Sequence, residues 1–333
     1  MRALVEIHNL KRYFRLGRGR FVHAVDDVSL HLEARQTLGL VGESGSGKST
    51  LGKTLLGLLD KTAGKVVYSG EELPTRYRTE DHRRYSDRMQ MIFQDPYSSL
   101  NPRMTVAEII AEGPKLQGKA PAGEIRDAVA GWLRKVGLEP DHMSRYPHEF
   151  SGGQRQRIGI ARAMIMKPEF VVCDEPISAL DVSVQAQVIN LMDDLKKSSG
   201  LTMLFIAHDL SMVRHVSDRM AVMYLGALME VGPSDDLFYR PMHPYSKVLA
   251  KSNPQADPRT EKTRAHEPIQ GEIPSAINVP EGCRFASRCP HVMHRCRMET
   301  PNLISIVDEI SNRERQVACH LFTTPGASSS QTR

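Results

Sequence analysis

Gly42-Glu43-Ser44-Gly45-Ser46-Gly47-Lys48-Ser49 stands between an apolar run, Leu38 to Val41, and a helical pattern that predicts a helix from Lys48 through Leu59. The stretch decides the fold. Its glycines allow successive backbone N–H groups to converge on an anion, and the helix that follows adds the positive end of its dipole. Lys48 is then placed to reach outer phosphates, and the Ser49 hydroxyl to ligate Mg²⁺. A glycine-rich turn that merely caps a helix does not require a strand before it.

Working outward, short apolar runs recur at Val66 to Tyr68, Met89 to Phe93, Phe170 to Cys173 and Met203 to Ala207, each bounded by residues that end strands. With helical periodicity between them, the stretch from Leu38 to Ala207 reads as an α/β fold, a parallel sheet with crossover helices. Ligands gather at the carboxyl ends of such strands. One of these ends carries Asp174 and Glu175 side by side. The first is expected near a Mg²⁺ shell and the second beside a water that attacks a terminal phosphate. On their own the two acids also suit a helix N-cap and a solvated carboxylate. Cys173, inside the apolar run, reads as a buried core thiol.

Between Pro96 and about Gly152 the strand signals give way to helical ones, clearest at Val106 to Ile110 and Ile125 to Val136, which predicts a helical insertion. Beyond Gly232 the prolines at 241, 244, 254, 258, 268, 274 and 280 predict a second module or a wrapping extension. From Thr323 on, Ser, Thr and Gly predict a disordered tail.

The chain has 333 residues, a 40% apolar fraction and a net charge of +5. That suits one large domain with an appended part, and no apolar stretch is long enough to span a bilayer. The Met1 to Glu6 stretch has no charged head followed by a long apolar core, so neither secretion nor membrane insertion is expected. Lys11, Arg12, Arg15, Arg18 and Arg20 form a basic cluster that reads as a solvated loop, and no nucleic-acid partner is expected. Four of the five cysteines, Cys283, Cys289, Cys296 and Cys319, follow the spacing C-x5-C-x6-C-x22-C, which is no zinc-finger spacing. In a reducing compartment clustered thiols indicate metal before disulfide. Four thiolates suit either zinc or a [4Fe–4S] cluster, Pro290 after Cys289 favours the second, and free structural thiols are the remaining reading.

Ser151-Gly152-Gly153-Gln154-Arg155-Gln156-Arg157 precedes the Phe170 to Glu175 strand and resembles the signature motif of ABC ATPases. Gln94 resembles the family's Q-loop glutamine, Ser178-Ala179-Leu180-Asp181 its D-loop, and His208 its switch histidine. Phe150 stands where the signature commonly starts with Leu. The resemblance implies an ABC-type P-loop NTPase: a RecA-like core over 1–95 and 158–232 with antiparallel N-terminal strands, a helical subdomain over 96–157, a Cys-containing C-terminal extension over 233–322 and a tail over 323–333. It implies catalysis by Glu175, His208 and Gln94, and Mg²⁺ held by Ser49, Gln94 and Asp174. ATP would be bound by Gly42, Glu43, Ser44, Gly45, Ser46, Gly47, Lys48, Ser49 and Thr50, with Ser151, Gly152, Gly153, Gln154 and Asp181 acting from the other half of a head-to-tail dimer. Adenine would stack on Phe14, with Tyr13 as second choice.

Further along, Asp95-Pro96-Tyr97-Ser98-Ser99-Leu100-Asn101-Pro102, His243-Pro244-Tyr245, Gly271 to Ser275, Gly282-Cys283-Arg284-Phe285 and Arg288-Cys289-Pro290 resemble the oligopeptide/dipeptide importer branch, most closely the second ATPase of the dipeptide importers. This implies a related ATPase as heterodimer partner, two membrane permeases that dock near residues 95–102, an extracytoplasmic peptide-binding protein, and peripheral attachment to the cytoplasmic face of the inner membrane. The tail resembles one that holds [4Fe–4S]. Nickel, glutathione and some sugar importers share the branch. A soluble ABC ATPase acting on nucleic acid or the ribosome fits less well, because those proteins carry a long coiled coil or two ATPase domains in one chain.

Overall fold

The computed structural model describes residues 3–118, 121–178, 180–252 and 274–323. Two long strands, β1 (Ala3–Gly17) and β2 (Arg20–Glu33), form an antiparallel hairpin. It turns on Arg18 and Gly19, both at positive φ (50° and 75°), the backbone geometry that matches the twist of flanking strands. Strands β4 (Ala63–Tyr68) and β5 (Glu71–Glu72) complete a four-stranded sheet in the order β2-β1-β4-β5. The larger sheet runs β11-β12-β10-β9-β3-β8-β7-β6. Its parallel part is β6 (Met89–Ile92), β7 (Phe170–Asp174), β8 (Thr202–Ala207), β3 (Thr37–Val41) and β9 (Arg219–Tyr224). Three antiparallel strands extend it, β10 (Ala227–Pro233), β12 (Glu314–Val317) and β11 (Ile304–Val307).

Strands β3, β7 and β8 are buried along their whole length, and their side chains alternate between two cores. Leu38, Leu40, Phe170, Val172, Leu204 and Ile206 face the small sheet and the helix Lys48–Leu55. Val41, Val171, Cys173, Met203 and Phe205 face the helices on the other side. A strand covered on both faces has no polar face, which is why these segments read as unbroken apolar runs.

Several expectations need correction. Val66 to Tyr68 is a strand, but β4 pairs with β1 in the antiparallel sheet and not with the parallel strands. The helix after the loop stops at Leu55 and not Leu59: Leu56 caps it, and Gly57 turns to φ 70°, where a Cβ would collide with the Tyr77 ring at 2.4 Å. The signature helix is Gly152–Met164, and Ser151 caps it in a reciprocal box with Gln154. β9 and β10 lie after the last strand that the apolar runs indicate.

Between Pro96 and Gly152 the described residues form no strand; the helices Val106–Gln117 and Ala122–Lys135 pack on Gly152–Met164. Thr105 and Glu108 form the capping box that starts the first of them. Past Gly232 the chain does not build a separate sheet. It returns to the main one, with β12 pairing β10 at Glu230↔Val317 and Val231↔Gln316. The predicted tail after Thr323 and the Gly271 to Ile273 part of the branch motif lie outside the described residues.

One buried ion pair fastens this return. Arg315 and Glu230, both 0% exposed, bond to each other; Glu230 also accepts from the N–H groups of Met242 (3.0 Å) and His243 (2.9 Å), and Arg315 donates to Asp308 at 2.8 Å. Removing one partner strands the other as a buried charge. Arg315→Met is therefore expected to destabilise the fold by about 3–5 kcal/mol, read as a lower denaturant midpoint, whereas the same change at exposed Arg297 should move it little.

Candidate nucleotide site

The phosphate loop emerges from β3, and the backbone forces its composition. Gly47 sits at φ 103°, and a Cβ there would stand 1.9 Å from the Ala24 carbonyl; at Gly42 it would stand 2.1 Å from the Met223 carbonyl. No side chain fits between loop and neighbouring strands at either position. Lys48, 4% exposed, donates to the carbonyls of Gly42 (2.8 Å) and Glu43 (3.0 Å). Burial lowers its pKa, opposed by the negative charges of Glu175, Asp174 and Glu43.

Beside it the Ser49 hydroxyl donates to Asp174 at 2.6 Å, joining helix start to strand end across 125 residues. Asp174 is 2% exposed, and the Lys53 ammonium lies 4.0 Å away. These are hard oxygen donors of the kind Mg²⁺ takes. The next residue, Glu175, adopts φ 44°, and its N–H is tied to the Ile206 carbonyl at 3.0 Å. That turn aims its carboxylate at two residues from other strand ends: Gln94 donates to it at 2.8 Å, and His208 Nδ1 lies 3.8 Å away. A carboxylate, an amide and an imidazole thus meet beside the Ser49–Asp174 pair, a set able to orient water and hold a phosphate oxygen.

Ser151-Gly152-Gly153 lies elsewhere. A Cβ on Gly153 would meet Val184 at 2.4 Å, and one on Gly152 would come within 3.9 Å of Leu180 and Tyr97. The phosphate loop's neighbours are instead Ala24, Met223, Tyr245 and Asp174. Asp181 is the N-cap of the helix Val182–Ser199, its carbonyl accepting from Val184 and Gln185 at 2.9 Å. Ala179 of the D-loop lies outside the described residues.

Tyr13 stacks on His23 with ring centroids 4.2 Å apart and donates to the Asp26 carboxylate; burial and that carboxylate push its pKa up. A short chain of bonds leads from there to the loop, Asp26 N–H to the Gly226 carbonyl (2.8 Å) and Gly226 N–H to the Ser46 carbonyl (2.9 Å). Phe14 carries the Arg12 guanidinium 4.5 Å from its ring centre.

Two contacts at the loop have no local signal. The Glu43 N–H donates to the Tyr245 hydroxyl at 2.9 Å, and the Glu43 carboxylate takes a two-pronged bond from Arg288 at 2.8 and 2.9 Å. Both partners belong to motifs quoted for the importer branch. Their spatial role could not be read, since they stand 202 and 245 residues from Glu43. Of the four clustered thiols, Cys283, Cys296 and Cys319 are buried and Cys289 is half-buried. Burial raises the Cys283 thiol to about 11, and the Cys283 N–H donates to the Cys296 carbonyl at 2.7 Å. Among the described residues no group of three or more His, Cys, Asp or Glu side chains is close-set enough to be a ready-made metal cage. Nor, among the described residues, is any helix long and apolar enough to cross a membrane.

Residues 25–178 match the family model described as ABC transporter, and residues 229–296 match that of the oligopeptide/dipeptide transporter C-terminal region. The chain is 52% identical over 320 residues to the Bacillus subtilis (strain 168) protein YkfD, named for oligopeptide transport ATP binding, covering 96% of this chain and 95% of that one. It is 47% identical over 315 residues to the oligopeptide transport ATP-binding protein OppF of Salmonella typhimurium, covering 91% and 93%. Among solved structures it resembles a dimeric, post-hydrolysis ATP-binding cassette bound to ADP and Pi, with a TM-score of 0.64 and 25% identity over 69% of this chain and 98% of that one.

Proposed function

The chain belongs to the ABC transporter ATP-binding family, in the branch with the oligopeptide/dipeptide C-terminal region, and from that premise we propose that it hydrolyses ATP to drive oligopeptide import through membrane permeases. The observation that carries the reading is the meeting of Gln94, Glu175 and His208 beside the Ser49–Asp174 pair at the mouth of the phosphate loop. The Gly42–Thr50 segment binds the phosphates, and Lys48 balances their charge. Mg²⁺ would be held by Ser49, Gln94 and Asp174, and would neutralise phosphate oxygens. Glu175 orients the attacking water and accepts its proton, and His208 steadies the terminal phosphate.

Each chain carries two anion-binding helix tips, Lys48 and Ser151, whose neighbours differ. A head-to-tail pair solves this, with ATP held between the loop of one subunit and Ser151-Gly152-Gly153-Gln154 and Asp181 of the other. The likeness to a dimeric cassette supports that arrangement. A related ATPase is the proposed partner, and residues 95–102, which include the 59% exposed Tyr97, the proposed seat of the permeases. An extracytoplasmic binding protein would deliver the peptide, with this subunit on the cytoplasmic face of the inner membrane. Closure on ATP and release after hydrolysis give the two states that do the work. Phe14 is the proposed adenine contact, with Tyr13 as second choice. The core, helical-subdomain and extension boundaries at 95, 157 and 232 are proposed on the same footing.

Deleting the chain from its host should abolish uptake of a labelled tripeptide, restored by the wild-type chain and not by Glu175→Gln. Undiminished peptide uptake with lost nickel or glutathione uptake would move the substrate to that alternative.

A [4Fe–4S] cluster on Cys283, Cys289, Cys296 and Cys319 is proposed in the extension, supported by the donor type and by the backbone bond that joins Cys283 to Cys296 at 2.7 Å. Bound, it would cross-link this loop-rich segment. Protein purified without oxygen is expected to contain iron and acid-labile sulfide in equal amounts; zinc without sulfide would assign the thiols to zinc, and neither would leave them structural.

A further inference from the structure

The second residue of the phosphate loop is an acid. Any carboxylate in that position repels the polyphosphate that the loop is built to hold, and Glu43 is one of three whose charge acts on the Lys48 ammonium. Its surroundings answer this. Arg288 donates both ends of its guanidinium to the two Glu43 oxygens at 2.8 and 2.9 Å, and the Arg288 side chain is only 4% exposed. The arginine is itself held by two aromatic residues. It donates to the Tyr224 hydroxyl at 3.1 Å, and its guanidinium lies 5.7 Å from the Tyr224 ring centre and 5.9 Å from that of Phe285. The loop backbone is gripped as well, by the Glu43 N–H bond to the Tyr245 hydroxyl at 2.9 Å. A second arginine of the same segment, Arg284, reaches Asp26 at 2.6 Å and the Leu225 carbonyl, next to the Gly226 that bonds the loop at Ser46.

We propose that Arg288 is a positioning residue of the ATP site: held in the turn between Cys283 and Cys289, it neutralises Glu43 and draws its carboxylate aside so that the loop presents a net positive cradle to the phosphates. The inference rests on the nucleotide-binding reading above and adds to it a part for the C-terminal segment. A buried two-pronged arginine–carboxylate pair fixes direction as well as charge, which a single point contact does not. Glu43 then acts as the handle by which the extension sets the loop.

The charge argument separates this role from plain packing. Binding of a non-hydrolysable MgATP analogue to the purified full-length chain is measured by equilibrium titration for the wild type, R288Q, E43Q and the double variant E43Q/R288Q. R288Q leaves Glu43 uncompensated and is expected to weaken binding about 10-fold, as juxtaposed like charges do. The double variant removes the repulsion and should bind about 3-fold or more tighter than R288Q. Near-UV circular dichroism checks that each variant keeps its packed aromatic cluster. Recovery in the double variant supports the proposal. If R288Q binds as the wild type does, or if the double variant is as weak as R288Q or weaker, Arg288 does not act on the site through the charge of Glu43; ATP-driven transport stands in that case. A wild-type chain without nucleotide affinity overturns both readings.

Discussion

Glu175→Gln is expected to bind ATP as tightly as the wild type and to hydrolyse it at least on the order of 100-fold more slowly. The substitution keeps size and one carbonyl oxygen, so the 2.8 Å bond from Gln94 has an acceptor and the positive-φ turn at position 175 is unchanged in shape. What disappears is the negative charge and the basicity that orient and deprotonate the attacking water. The Ser49–Asp174 pair, the phosphate loop and Lys48 lie outside the change, which is why affinity should survive. Phosphate release measured beside nucleotide titration separates the two effects. Turnover within a few-fold of wild type would move the catalytic role to another group, with His208, 3.8 Å away, as the first to examine.

Lys48→Ala should act on the other half of the cycle, lowering ATP affinity by roughly 100-fold or more, the loss that follows when one member of a buried charge pair is truncated. The ammonium is 4% exposed and sits among Asp174, Glu175 and Glu43, so its removal leaves Asp174 and Glu175 beside the phosphates with their principal cation gone. It also braces the loop against the carbonyls of Gly42 and Glu43, and the alanine loses both braces. Equilibrium titration with MgATP measures the loss, and an unchanged thermal transition shows that the fold is intact. Affinity within 3-fold of wild type would mean that the phosphates bind elsewhere. Since Glu175→Gln spares binding and Lys48→Ala spares the Gln94–Glu175–His208 group, the pair of variants separates holding from cleaving.

The buried strands were legible because each is covered on both faces and so carries no polar alternation. The same rule misled at Val66 to Tyr68, since apolar content alone does not say which sheet a strand joins, and β4 went to the antiparallel one. The loop helix ended before its apolar pattern did, where Leu56 caps it and Gly57 turns to positive φ. The ATP-site residues stood out in the sequence for a related reason. A phosphate cradle needs adjacent N–H groups in one turn, so its glycines, lysine and serine must be contiguous, and a strand that ends in two acids announces itself within six residues, Phe170 to Glu175.

The sequence alone therefore determined the phosphate loop, the acid pair and the alternation of strand and helix, all of which depend on φ, spacing and side chains within a turn or two. Only the tertiary structure decided that Gln94, Glu175 and His208 meet, that β12 joins β10 and seals Arg315 against Glu230, and that Arg288 and Tyr245 grip Glu43 from more than 200 residues away. Those contacts are fixed by sheet order and by the burial of charges that must find partners. Neither leaves a periodic trace in the chain, because a residue's partner across a sheet is chosen by where the strands pack and not by how far apart they lie in sequence.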